Sequence, residues 1–192
     1  MNRLFVLIIL TIGFTVDAQI ATSGTTNSGT NASAIGYQTS ATNTVSTAIG
    51  RETLASGETS TAMGYKTSAT NTATTAMGNN STASGITSTA IGNNSTASGE
   101  TSIAMGFETE ATNSASIAMG YQTSSTEGAS TAMGFKTTAS GFGSTSIGYE
   151  TIASGNSSTA MGWLTTASGK ASIALGKSTI ASDFGSLVIG QY

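Results

Sequence analysis

Apolar and polar positions along this chain repeat every fourteen residues. Twelve glycines keep this spacing without a break, and we call them the period glycines: Gly36, Gly50, Gly64, Gly78, Gly92, Gly106, Gly120, Gly134, Gly148, Gly162, Gly176 and Gly190. The residue before each is Ile, Met or Leu, and Ala stands two before, except at Ser146 and Val188. Ser or Thr stands three residues after, and Ala stands five after, except at Ser125. A random linker does not hold such a register, so the chain is a repeat protein.

A weaker half-repeat divides each unit. The position seven residues after a period glycine, which we call the second turn slot, holds Gly57, Gly85, Gly99, Gly141, Gly155, Gly169, Asn43, Asn71, Asn113, Asp183 or Glu127, the last beside Gly128. Gly, Asn and Asp tolerate a positive φ, so we predict a left-handed turn residue here. A coiled coil also has a period of seven, but each glycine would cost about 1 kcal/mol in a helix, which argues against helices.

Two short strands and two tight turns in fourteen residues predict an all-β fold, a flattened parallel β-solenoid. Gly29 and Thr25 already match their positions, so we expect the roll to span residues 25–192, after a short lead at residues 19–24. Twelve rungs at about 4.8 Å each would form a rod roughly 55 Å long.

The first 18 residues are predicted to be a secretory signal peptide. Arg3 supplies a positive start, residues 4–16 are mostly apolar, and Val16-Asp17-Ala18 precedes a cleavage point before Gln19. The apolar run is shorter than the roughly 20 residues of a spanning helix, although an uncleaved anchor is the alternative. We therefore expect an exported protein, at the cell surface or secreted.

Alternate residues of a strand face opposite sides of its sheet. The Ser/Thr, Ala and turn positions share one face, which we place inside because small side chains let two sheets approach closely. The other face of the strand ending at the period glycine carries an apolar row, our candidate oligomer interface: Ile49, Met63, Met77, Ile91, Met105, Met119, Met133, Ile147, Met161, Leu175 and Ile189. A long exposed apolar row usually marks an interface. The alternative puts this row inside and Ala outside, leaving a monomer.

An aromatic residue directly follows the period glycine in seven rungs: Tyr37, Tyr65, Phe107, Tyr121, Phe135, Tyr149 and Trp163. We expect these rings to form a discontinuous ladder along one edge of the rod. Two roles are open for them. The rings either stack between rungs and cover the turns, or form a surface-binding strip for a glycan or a protein.

Composition removes many other functions. The chain has no Cys, His or Pro, its charged residues are 8% of the total, and its net charge is −3. Without thiolates or imidazoles, and with few carboxylates, we expect no metal site, no cofactor and no catalytic site, so the protein is not an enzyme. Six basic residues do not make a phosphate-binding surface, so we expect no nucleic-acid partner.

Blocks such as Ser116-Ile117-Ala118-Met119-Gly120 and Ser172-Ile173-Ala174-Leu175-Gly176 resemble the 14-residue head repeats of YadA-like trimeric autotransporter adhesins. The resemblance covers about residues 25–192. It implies a left-handed parallel β-roll that forms a homotrimer on the bacterial outer membrane and binds extracellular matrix protein, glycans, cells or abiotic surfaces. The family usually adds a stalk and a membrane anchor after the head. We see no such segment after Tyr192 and expect no membrane anchor of its own in this chain.

Two further functions stay open from the sequence. The Ser/Thr column running from Thr39 to Thr179 is nearly all Thr, and flat β-solenoids with threonine arrays can order water, which is typical of an ice-binding protein. The neighbouring column, however, varies among Ser, Leu, Thr, Glu and Ile. A structural fibre segment with the same roll is the other alternative.

Overall fold

The computed structural model describes residues 23–190, and the predicted signal peptide lies outside the described residues. Residues 23–190 form a parallel β-solenoid of twelve turns, which confirms the predicted fold class. Each rung of fourteen residues contributes one short strand and one long strand.

The short strands have two residues each: β1 Thr26–Asn27, β3 Ser40–Ala41, β5 Leu54–Ala55, β7 Ser68–Ala69, β9 Thr82–Ala83, β11 Thr96–Ala97, β13 Glu110–Ala111, β15 Ser124–Ser125, β17 Thr138–Ala139, β19 Ile152–Ala153, β21 Thr166–Ala167 and β23 Ile180–Ala181. The long strands are β2 Ser33–Tyr37, β4 Thr47–Arg51, β6 Thr61–Tyr65, β8 Thr75–Asn79, β10 Thr89–Asn93, β12 Ile103–Phe107, β14 Ile117–Tyr121, β16 Thr131–Phe135, β18 Thr145–Tyr149, β20 Thr159–Trp163, β22 Ile173–Lys177 and β24 Leu187–Gly190.

The two strand types form separate twelve-stranded sheets. The short strands pair in order from β1 to β23, and the long strands pair in order from β2 to β24. All pairing is parallel and places each residue beside its equivalent in the next rung, as with Ala104 beside Ala118 and Gly106 beside Gly120. Every column of the sequence repeat is therefore a physical column along the rod.

The period glycines are fixed by backbone geometry. From Gly36 to Gly176 their φ values are 112–137°, a region that residues with a Cβ rarely adopt. A Cβ on Gly120 would also collide with the carbonyl oxygen of Gly134 in the next rung. Both constraints act in every rung, which explains why the glycine spacing never varies.

The prediction that the second turn slot is left-handed is wrong. Gly57 has no positive φ, whereas Thr59, two residues later, has a φ of 54°. A second left-handed residue follows the period glycine by two positions, as at Glu52 with a φ of 55°. The left-handed turn lets the N–H of Thr59 reach the carbonyl of Thr44 in the preceding rung at 2.9 Å. Backbone pairing between rungs therefore sets the turn position.

The second turn slot selects Gly or Asn for a different reason. A Cβ on Gly57 would collide with the backbone of Asn71 in the next rung. Where Asn occupies the slot, its side chain forms hydrogen bonds with backbone groups of its own turn and of the next rung. The Asn43 Oδ1 accepts a hydrogen bond from the Thr44 N–H at 2.8 Å, and its Nδ2 donates to the Ser56 carbonyl at 3.2 Å. Close approach of the next rung thus favours Gly in some rungs, and hydrogen bonding by the side chain favours Asn in others.

Small side chains fill the interior, as predicted. The alanines of both sheets are almost completely buried, with 0% exposure from Ala41 to Ala174 in both Ala columns. The buried polar residues are Ser and Thr, among them Thr39, Ser60 and Thr137. The Met/Ile row lies on the outer face, so the alternative that placed this row inside is wrong. An interior of Ala, Ser, Thr and Gly allows the two sheets to pack closely.

Serine replaces alanine in the interior at two positions, and each has a partner. The Ser125 hydroxyl lies 2.6 Å from the Ser130 hydroxyl, and the Ser146 hydroxyl lies 2.8 Å from that of Thr151. A buried hydroxyl without a hydrogen bond costs about 1–3 kcal/mol. Pairing within one rung removes this cost at both positions.

Candidate interaction surface

The apolar row runs the length of the outer face of the long-strand sheet. Its members are half-buried along most of the rod and become more exposed toward the C-terminal end, where Ile189 is 71% exposed. Met105, Met119 and Met133 lie in register in consecutive strands. In four long strands the residue two positions before the row is also apolar, which widens the row there: Ile103, Ile117, Ile173 and Leu187. The long-strand sheet therefore presents an apolar face to solvent.

Five of the seven aromatic residues form a continuous stack over five consecutive rungs. Ring centroids are 4.9 Å apart for Phe107 and Tyr121, 5.0 Å for Tyr121 and Phe135, and 4.9 Å for Phe135 and Tyr149. Tyr149 and Trp163 are 4.2 Å apart, and the interplanar angles along the stack are 6–14°. We call this array the aromatic stack.

The other two aromatic residues are joined by a cation. The Arg51 guanidinium carbon lies 5.7 Å from the ring centroid of Tyr37 and 5.4 Å from that of Tyr65. Lys66 also lies over the Tyr65 ring at 5.2 Å, and its pKa is raised by its hydrogen bond and charge interaction with Tyr65 and by Glu52. The ladder is therefore discontinuous, as expected, but Arg51 bridges its N-terminal part.

The stack geometry limits what the rings can bind. Each ring within the stack has a neighbour on both faces, so Tyr121, Phe135 and Tyr149 offer only their edges to a ligand. Desolvation raises the pKa of the Tyr149 phenol, and the neighbouring Glu150 raises it further. A flat ligand that binds by ring stacking needs an open face, which only the end rings can provide.

The column running from Thr39 to Thr179 lies inside the roll. Thr39, Thr137 and Thr165 are 0% exposed, and Thr179 is 5% exposed. Ice binding requires threonines that contact water. The hypothesis that this column forms an ice-binding face is therefore wrong, because its side chains fill the space between the two sheets.

Residues 23–190 contain no group of acidic side chains placed to hold a metal ion, and their surface has no pocket. They also contain no helix of the length and apolarity needed to cross a bilayer.

Three exposed apolar residues near the C-terminal end of the stack were not among the site residues predicted from the sequence. Ile152 and Ile180 lie in the short strands β19 and β23, Leu164 follows Trp163, and the three are 42–65% exposed. The available signal was their departure from the column pattern. Other described rungs place a polar residue at the position of Leu164: Gln38, Glu52, Lys66, Asn80, Asn94, Glu108, Gln122, Lys136, Glu150 and Ser178.

Replacing Tyr121, Phe135 and Tyr149 together with Ser is expected to destabilise the roll and leave surface binding unchanged. The change removes all four contacts of the aromatic stack, and at about 0.5–1.5 kcal/mol per stacked pair the half-exposed rings should contribute about 2–3 kcal/mol in total. Urea unfolding followed by circular dichroism measures the loss. Lost binding with unchanged stability would instead assign the rings to a contact strip.

Comparison with protein families gives one result that covers most of the chain. The model of the YadA head domain repeat, which contains two copies of the unit, matches residues 28–53, 55–81, 83–109, 111–137, 139–165 and 167–192. Each matched segment corresponds to two rungs of the roll. No curated protein matches the chain. Because the matches cover nearly all of the described residues, the chain belongs to the family of YadA head domain repeats.

Proposed function

We propose that this chain is the head of a trimeric surface adhesin, exported from the cell and attached to matrix proteins or glycan surfaces through many weak contacts. The family match supports an adhesin-like repeat region. The observation that carries the proposal is the apolar row, which remains open to solvent over eleven rungs of a single chain. Export rests on the predicted signal peptide at residues 1–18.

The size of the apolar row suits an interface between identical chains. A face about 55 Å long and about 15 Å wide covers roughly 800 Å², which is the area that each partner buries in a standard protein interface. Because every rung has the same register, two copies can place equivalent residues along the whole length. A closed ring of three rolls would cover each row and leave the short-strand sheets outside.

The outside surface suits multivalent attachment. The outer positions of the short strands are mostly uncharged, as at Ser68, Thr96 and Thr138, and they repeat at every rung. The described surface has no pocket, so each contact with a ligand is shallow. Repetition along three rolls compensates for weak single contacts, because the second and later contacts form at high effective concentration.

Exchanging Met119 and Met133 for Lys is expected to dissociate the trimer and reduce attachment to an immobilised basement-membrane matrix. Two charges at the centre of the row would be buried without partners, at several kcal/mol each. Light scattering after size exclusion measures the mass, and retention on the coated surface measures attachment. The matched control exchanges Ala115 and Ala129 for Lys, at the exposed left-handed turns that precede the same two strands. A monomeric wild-type chain, or equal effects of both double variants, would contradict the proposal.

A further inference from the structure

The aromatic stack ends at Trp163 on its C-terminal side. Trp163 stacks on Tyr149 with one face, and the residue paired with it in the next rung is Lys177 rather than another aromatic. Trp163 is 47% exposed. The stack therefore ends on an indole whose second face has no aromatic neighbour among the described residues.

Exposed apolar side chains occur in the rung of Trp163 and in the two rungs that flank it. Leu164 follows Trp163 at a left-handed turn, with a φ of 52°, where other described rungs carry polar residues. Thr166, two residues further on, pairs with Ile152 on one side and Ile180 on the other. Ile152, Leu164 and Ile180 differ from the polar residues that most rungs carry in their columns. All three are exposed, so they do not fill the interior.

We propose that Trp163, Leu164 and the adjoining surface form a binding site for a hexopyranose ring, such as a terminal or repeating sugar of a surface glycan. The ring would occupy the position that a sixth aromatic residue would take in the stack. Its apolar C–H face would lie on the indole. This assignment rests on the proposed adhesive function and names the ligand class and place of one contact.

The size and the polar surroundings of the site favour a sugar over a protein. The three exposed apolar residues span three rungs, about 10 Å by about 10 Å, and roughly 100 Å² is far below the 800 Å² that each partner buries in a stable protein interface. Glu150 and Lys177 lie in the rungs that flank Trp163, and Ser178 follows Lys177. The ammonium of Lys177 and the hydroxyl of Ser178, in the rung that follows Trp163, match the hydroxyl rim of a pyranose, and the indole matches its apolar ring face.

Trp163 is the single tryptophan of the chain, so its fluorescence reports on this site directly. We expect methyl β-galactopyranoside or methyl β-glucopyranoside to change the emission saturably. The diagnostic variant is Lys177→Tyr, which would extend the stack by a sixth ring, cover the second face of the indole and leave the fold intact. It should weaken sugar binding at least about tenfold, and Leu164→Ser should weaken it less.

Tyr121→Ser is the matched control, because it alters the same stack three rungs away and leaves the second face of Trp163 unchanged. It should retain sugar binding. No saturable change with either glycoside, or equal binding by wild type and Lys177→Tyr, overturns the assignment. A change with p-cresol alone would also overturn it, since the site would then take an aromatic ligand. Trimer mass and matrix retention, measured on the same samples, test the adhesive function separately.

Discussion

Gly120→Ala is expected to lower the free energy of unfolding by at least about 4 kcal/mol, from backbone strain of about 1–3 kcal/mol and from lost pairing between rungs. Gly120 has a φ of 132°, and its Cβ would meet the carbonyl oxygen of Gly134. The two rungs can separate only by breaking the ladder between β14 and β16. Urea unfolding followed by circular dichroism measures the change.

Gly143→Ala is the matched control for this prediction. Gly143 also has a positive φ, of 62°, but the nearest atom to an added Cβ is the Ser157 hydroxyl at 3.9 Å. Ala129 and Ala171 already occupy the equivalent position in other rungs, with φ values of 54° and 57°. We expect a cost of about 1 kcal/mol or less for this variant. Similar losses of stability for both variants would mean that the loss comes from replacing any glycine and not from the collision with the next rung.

Deleting Ala118 alone is expected to damage the roll more than deleting the fourteen residues 106–119. A one-residue deletion shifts the strand register, so Ile117 would enter the Ala column, where its neighbours Ala104 and Ala132 are 0% exposed. Overpacking costs about 1–3 kcal/mol per site, and Ser116 would also leave its buried position. We therefore expect a loss of more than about 3 kcal/mol.

The fourteen-residue deletion joins Met105 directly to Gly120 and restores the sequence pattern. Each rung contacts only its neighbours, so the product should be a roll of eleven rungs with stability close to the original. Thermal unfolding of both deletion variants and of the full chain gives the comparison. If the fourteen-residue deletion unfolds at a lower temperature than the Ala118 deletion, rung register does not control the fold.

The fold class could be predicted because its strongest constraints act directly on residue identity. A period glycine has an unusual φ and contacts the next rung through its Cα, so no other residue fits and the spacing is visible in the sequence. The alanine columns follow from the same close approach of two sheets. Because these constraints recur from rung to rung, the same residue pattern is seen many times in the sequence, and each repeat strengthens the prediction of the fold.

The turn geometry could not be predicted, because the left-handed position tolerates many residue types. Val45, Thr59, Lys66 and Leu164 all adopt φ values near 54° there. Backbone hydrogen bonds to the preceding rung hold this conformation, so the side chain carries little information. The visible preference for Gly and Asn two residues earlier reports close packing and side-chain capping instead.

The surface could be predicted only in part. The apolar row and the aromatic residues were found because their columns are nearly regular. The role of the column from Thr39 to Thr179 was ambiguous, because Thr suits both water and a narrow interior, and only burial resolves it. Ile152, Leu164 and Ile180 lie in columns whose residues vary from rung to rung, so the repeat pattern gives no reason to single them out.

The buried interior of residues 23–190 has a consequence for protonation. Its polar side chains are all Ser and Thr, and the charged residues lie on the surface. The packing of the interior therefore does not depend on the protonation of any side chain. Folding raises the pKa of Lys66 and of Tyr149, so the contribution of these two groups to the free energy of unfolding should be present at neutral pH and be lost as the pH rises through their folded pKa values.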